Sequence, residues 1–225
     1  MSIQAEQFSE RSPLYRLHED AHLGRVGDSC IVTDHRNDDE RALAANCGLL
    51  DMSNLARVGF RGTASAAYLE ERGYALPATP NQALGQADGS AVLRLSQTEY
   101  LLLGSLLDAG ARARQEELAW QFDDSPNYLL PRQDSHAWLL LTGHHASEVM
   151  AKLCGVDLRS EAFPAGSVAQ TSTARINVIV ANLPQGELPC LHILCDRASA
   201  QYFWGALLDA MQEFGGQPVG IDALP

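Results

Sequence analysis

The sequence predicts an α+β fold made of two β-α-β-β-α units in tandem, the split βαβ or ferredoxin-like arrangement. The order strand, glycine, helix, proline loop, two strands, helix occurs twice, first around Gly62 and again around Gly143. The spacing repeats as well, since Gly62 to Leu69 and Gly143 to Met150 are both seven residues. In each unit the helical stripes would lie on one face of an antiparallel sheet and supply its core. The expected boundaries are an N-terminal arm over 1–36, a first half over 37–125 and a second over 126–225. Together they form one compact, pseudo-duplicated domain, because two copies are too few for a solenoid.

Composition is consistent with this reading. The chain has 225 residues, 46% hydrophobic and 20% charged, which is enough to bury a sizeable core. Its 16 basic and 28 acidic residues give a formal charge of -12. That charge argues against general nucleic-acid binding, which needs a basic footprint, and against docking on an anionic membrane. The first twenty residues contain no apolar run resembling a signal peptide, and no segment is apolar enough to span a bilayer. Cys30, Cys47, Cys154, Cys190 and Cys195 show no CxxC spacing and no zinc pattern, so thiols in a reducing cytoplasm are expected.

Along the chain, residues 1–12 are polar and read as loose, and Ile31-Val32-Thr33 is a short strand. Asn37 with Glu40 three residues on reads as a capping box opening a helix that runs to Asn46. Gly48 suits the left-handed position past that helix. From Asn54 to Arg61 apolar and polar residues alternate, with Leu55, Arg57, Gly59 and Arg61 on one side and Ala56, Val58 and Phe60 on the other, as in a half-buried strand. Gly62 stops it and a helix follows over 63–69. The segment 73–81, with Pro77 and Pro80, is an extended loop. Runs at 91–95 and 100–103 make a hairpin, residues 108–119 a helix, and 123–127 a turn-rich break. Ala137–Leu141 is a buried strand ended by Gly143, after which Ala146, Val149, Met150 and Leu153 form a helical stripe. Phe163–Gly166 is a loop. Residues 168–181 are one bent strand or two, and 191–195 is another. Ala200, Phe203, Trp204, Leu207, Leu208, Met211 and Phe214 mark the clearest helix, closed by Gly215-Gly216.

Catalytic patterns are sparse. The chain lacks GxGxxG, GxxxxGK[ST] and GxSxG, the markers of dinucleotide, P-loop and α/β-hydrolase sites. The adjacent His144 and His145 at a helix start point apart and make a poor metal pair. Asp123-Asp124 precede Ser-Pro in a turn and read as solvated carboxylates, His192 as a packed strand residue, and Phe203 and Trp204 as core. Asp51 and Ser53 read as a turn held by local hydrogen bonds to the backbone.

The stretch CGLLDMSNLARVGFRGTASAAYL from Cys47 resembles the glycine-cleavage T-protein pattern aGLfDvSxxxxxxvxGxxAxxfL. Residues 75–81 and 95–102 are similar to the LPxxPN and LxPDEWLL segments of the sarcosine oxidase gamma subunit family. Leu158, 163–166, 169–171 and 196–204 are similar to further segments of that family. The resemblance spans roughly 40–214, and its motif positions are Asp51, Ser53, Gly62, Pro77, Asn81, Glu99, Pro164, Thr171, Arg197 and Trp204. It implies the T-protein folate-binding fold, without the C-terminal barrel, and structural rather than catalytic or cofactor-holding roles for those residues.

The departures bear on function. T-proteins carry a VVNAxN strand and an acid over the folate, where this chain reads Tyr100–Ser105; of GYTGExGFE only Gly186 and Glu187 remain. Residues 216–224 are similar to the segment before the T-protein arginine and its C-terminal domains, so a folate site built from three domains would lack much of its wall. The resemblance therefore implies a non-catalytic, cytoplasmic gamma-type subunit of a heterotetrameric flavoenzyme that demethylates an N-methyl amine or amino acid. Its larger partners would bind flavin and folate. FAD, FMN, NAD, zinc and tetrahydrofolate would serve the assembly, with no cofactor and no zinc held by this chain. The alternative is a stand-alone tetrahydrofolate-dependent aminomethyltransferase-like enzyme. A small maturation module of the same fold is disfavoured, because its KGCYxGQE motif is absent.

Overall fold

Two sheets packed face to face, antiparallel but for one short edge strand and with helices on their outer faces, and a separate two-stranded hairpin make up the chain in a computed structural model that describes residues 3–225. A hairpin of β1 (His22–Val26) and β2 (Ser29–Asp34) leads into α1 (Glu40–Cys47) and β3 (Gly48–Asp51). The first unit is β4 (Arg57–Arg61), α2 (Ser65–Glu71), β5 (Gln82–Gly85), β6 (Ala91–Arg94), β7 (Glu99–Leu103), α3 (Ala111–Ala119) and β8 (Tyr128–Pro131). The second is β9 (His136–Thr142), α4 (Ala146–Ala151), β10 (Val168–Thr173), β11 (Ile176–Asn182), β12 (Cys190–Asp196), α5 (Ala200–Met211) and the short β13 (Gln217–Pro218).

The sheet orders are β5-β6-β7-β4-β8 and β10-β11-β12-β9-β3-β13. Within the first, β6-β7-β4-β8 is the split βαβ order. In the second, β11-β12-β9-β3 repeats it, with β3 antiparallel to β9 as β8 is to β4. Each sheet therefore takes a strand from the chain just before the other sheet begins: β3 leads into β4, and β8 into β9.

This exchange explains the two glycines. A Cβ at Gly62 would lie 1.8 Å from the carbonyl oxygen of Pro126, in the lead-in to β8. A Cβ at Gly143 would lie 2.4 Å from that of Asn46, in the lead-in to β3. Both also have positive φ, 150° and 97°. Gly62→Ala is expected to cost more than about 2 kcal/mol, since neither the backbone contact nor the φ can relax cheaply. Chemical unfolding in urea checks it, and an unchanged midpoint would show that the lead-in can move aside.

Alternating residues serve different layers. Leu139, Leu141 and Ile193 pack with Val149, Met150, Phe203 and Leu207 under α4 and α5. Leu140, Trp138 and Leu194 point the other way, to meet Leu50, Met52, Leu93, Leu101 and Leu103 between the sheets. Val58, Phe60, Tyr100 and Leu102 pack with Leu69 on the α2 side of the first sheet.

The predicted hairpin, loops and helices are present, and residues 168–181 resolve into two strands turned at Ala174 and Arg175, both with positive φ. Several local expectations need correction. Asn37 does not cap α1; Asp39 does, its carboxylate accepting from Ala42 N at 3.0 Å, while Glu40 accepts from the amide of Asn37 at 3.2 Å. Gly48 is extended at φ -112°, and is small because Thr142 and Ala44 press on it. The strand at 54–61 starts only at Arg57, and both its faces are buried up to Phe60, because one meets the other sheet and the other its helices. The arm is not loose over 3–12: Ala5 and Ser12 are buried and Arg197 donates to the Arg11 carbonyl. Met1 and Ser2 lie outside the described residues. No helix among the described residues is long and apolar enough to cross a membrane.

Candidate functional site

The exchanged strands force two crossovers, 52–56 and 132–135, to run beside each other, and the buried polar residues Asp51, Ser53, Asn54 and Arg57 lie in or next to them. Met52 N donates to the Trp138 carbonyl at 2.8 Å and Trp138 N to Ser53 Oγ at 3.1 Å. Arg57, 1% exposed, clamps both crossovers. Its Nη1 donates to the carbonyls of Ser53 (2.8 Å) and Leu55 (3.0 Å), and its Nη2 to those of Gln133 (3.1 Å) and His136. Burial, and then the neighbouring Arg197, push its pKa down to about 9, so the guanidinium stays charged at neutral pH.

Asp51, at the end of β3, holds the arm. Its carboxylate accepts from Ser12 Oγ, from His18 Nε2 at 3.2 Å and from Ser53 N at 2.9 Å. Burial alone would raise its pKa, but the His18 and Ser12 hydrogen bonds outweigh it and hold the carboxyl below its ordinary value. The Trp204 ring meets His18 edge-on at 5.3 Å between centroids. These groups are occupied by one another: Asp51 Oδ2 takes both the serine and the histidine, so no serine-to-histidine relay exists.

Beside the crossovers a cavity of about 570 Å³ opens between the sheets, within the usual size of a small-molecule site. Met52, Leu55, Trp138, Leu106, Leu183 and Leu224 are among its walls, and Gln86, Ser90, Ser105, Gln185 and His192 are its polar side chains. The lining holds no Asp, Glu, Lys or Arg side chain. His192 accepts at Nδ1 from Trp138 Nε1 (3.2 Å) and donates from Nε2 to the Leu183 carbonyl (3.3 Å). Burial lowers its pKa to about 4. It is thus a neutral imidazole with both nitrogens committed, not a general base. Among the described residues no group of three or more His, Cys, Asp or Glu is gathered as for a metal, and all five cysteines are free and buried.

The family-motif positions fall into separate places. Asp51, Ser53, Arg197 and Trp204 gather at the crossovers and the arm. Asn81, at φ 61°, and the strand carrying Thr171 form a seam between the sheets, where Gln170 Nε2 donates to Asn81 Oδ1 at 2.9 Å. Glu99 accepts from Arg132 at 2.7 Å. The Pro77 carbonyl takes Arg94 at 3.2 Å, and the Pro164 carbonyl turns back to Ser167 N at 3.0 Å. Gly62 sits under the β8 lead-in. Asp123 and Asp124 are exposed, and His145 stacks on Phe214 at 4.6 Å, away from the cavity. Sequence reasoning missed Arg57 as a clamp. The available signal was a cation inside the predicted strand, between Leu55 and Gly59 on its face, whereas Arg61 on the same face lies at the exposed strand end.

A protein-family description, the GCVT N-terminal domain, matches residues 5–225. The chain belongs to the GCVT N-terminal domain family. It is 28% identical over 180 residues to sarcosine oxidase subunit gamma of Corynebacterium sp. strain P-1, covering 78% of this chain and 85% of that one. A chain of the heterotetrameric sarcosine oxidase from Corynebacterium sp. U-96 superposes with a TM-score of 0.65 at 24% identity, over 92% of this chain and 97% of the other. The glycine cleavage system aminomethyltransferase T from Bartonella henselae superposes with a TM-score of 0.71 at 19% identity, over 94% of this chain but 59% of its own. The T-protein-like α+β fold expected from the motifs is therefore the fold observed.

Proposed function

We propose that this chain is a gamma-type accessory subunit of a heterotetrameric, sarcosine oxidase-like flavoenzyme that oxidatively demethylates an N-methyl amine or amino acid. The observation that carries this reading is the likeness in sequence, 28% identity over 180 residues to a sarcosine oxidase gamma subunit. Aminomethyltransferase relatives match at 26% and 24%. The cavity supports the same reading. A tetrahydrofolate there would meet amide, hydroxyl and neutral imidazole groups, with no side-chain carboxylate to hold or move a proton at its ring nitrogens. The lining does not fit folate catalysis. FAD, FMN and NAD belong, on this reading, to the larger partners, and the chain works in the cytoplasm by packing against them.

Thermal unfolding with and without saturating tetrahydrofolate separates the two functional readings, because a ligand of the native state must raise its stability. No change in the midpoint is expected. A clear rise, with heat released on titration, would favour the aminomethyltransferase-like alternative.

A further inference from the structure

We infer that the end of α3 and the loop after it form a docking face for a partner protein whose surface pairs an apolar socket with lysine or arginine. This inference rests on the subunit reading above and names the face it uses.

The helix α3 is turned against its own chemistry. It buries Ala113 and Glu116, the latter paired with Arg72 at 3.0 Å, and turns Leu118 outward at 73% exposure. Three residues past the end of α3, Phe122 is 76% exposed. Its ring meets Trp120 edge-on at 6.5 Å, and Trp120 is itself anchored by Nε1 donating to the Asn127 carbonyl at 3.2 Å. A buried carboxylate and exposed leucine and phenylalanine within one short segment invert the normal partition. Aromatic anchors of this kind characterise interface centres.

Charge selects the occupant. Glu117, Asp123, Asp124 and Asp134 make no ion pair among the described residues, whereas the nearby cations are taken: Arg72 by Glu116, Arg114 by Glu10 at 3.4 Å, and Arg132 by Glu99. Burial raises the Glu117 pKa, with Arg114 opposing and the nearby carboxylates of Asp134 and Glu10 adding to the rise. Uncompensated acids beside exposed apolar anchors complement a basic, apolar protein face, and repel nucleic acid and anionic lipid.

The test compares tagged wild type, Leu118→Lys/Phe122→Lys, Asp123→Arg/Asp124→Arg, and the exposed control Tyr202→Lys on α5, each purified from the native host and scored for co-eluting flavin protein. Thermal unfolding of each isolated variant verifies folding. The expected result is that wild type and Tyr202→Lys retain the flavin chains. Both patch variants should bind roughly thirtyfold more weakly or worse, and wild-type binding should weaken as salt rises. Wild type without flavin protein would remove the subunit reading and this inference with it. Patch variants that bind like wild type would overturn the inference alone. So would an isolated chain that dimerises until the patch is changed, because the face would then serve self-association.

Discussion

Arg57→Met lowers the stability of the isolated chain by about 3–5 kcal/mol, a larger loss than any other single substitution at the crossovers should cause. The guanidinium is the shared donor for the carbonyls of Ser53, Leu55, Gln133 and His136, which come from both crossovers. Methionine fills much of the volume but takes this donor from all four carbonyls; that of Ser53 keeps Gln133 Nε2 at 3.2 Å, and each of the others that cannot find water costs about 1–3 kcal/mol. Lysine restores the charge without the planar fork and should recover only part of the loss. Against the ~5–15 kcal/mol total of an ordinary domain this is a large share. Urea unfolding measures it directly. A loss below about 1 kcal/mol would mean that the crossovers are held by the apolar core between the sheets alone.

Asp51→Ala is expected to cost on the order of 3 kcal/mol and to free the arm. Ser12, His18 and Ser53 N would lose one common acceptor, and hydrogen bonds to a charged group are worth about 1.5–3 kcal/mol. Hydrogen exchange across Leu14–His18 should accelerate while the amides of β9 and β12 stay protected; uniform protection would contradict this role. The pH dependence has a defined sign. His35, His136 and His192 have pKa values lowered by burial from 6.5 to about 4, so the unfolded chain binds more protons in that interval and stability falls as pH drops through it. Asp51 is held below its ordinary 3.8, so its contribution is complete above that value and is lost as pH falls through the lower folded one. In Asp51→Ala this most acidic part of the decline should shrink by the Asp51 share, while the share of Asp88, held down to about 2 by its Arg112 hydrogen bond, and the part between 6.5 and 4 remain.

Much of the fold was legible because its signals are local. The alternation around Val58 and Phe60, the stripe from Ala200 to Met211 and the repeated glycine-to-helix step all lie within a dozen residues or so. What could not be read locally is what joins the halves. The strands β3 and β8 are four residues each, too short to show a period, and which sheet each completes depends on partners β9 and β4 elsewhere in the chain. Asp51 was visible as a motif residue, but its partners Ser12 and His18 lie 39 and 33 residues away, so only the bond to Ser53 could be anticipated. Asn37 lost the cap to Asp39 because two acceptors stand within one turn of the helix start and propensity alone does not choose between them. The cavity was not legible at all: its walls come from both halves and meet only because the strands exchange.

The accessory-subunit reading is tested most directly by purifying the tagged chain from its native host and recording mass and flavin absorbance across the eluted peak. The 24.4 kDa chain is expected to elute inside a larger, yellow assembly with flavin-bearing partners. A colourless peak of the chain by itself would contradict it.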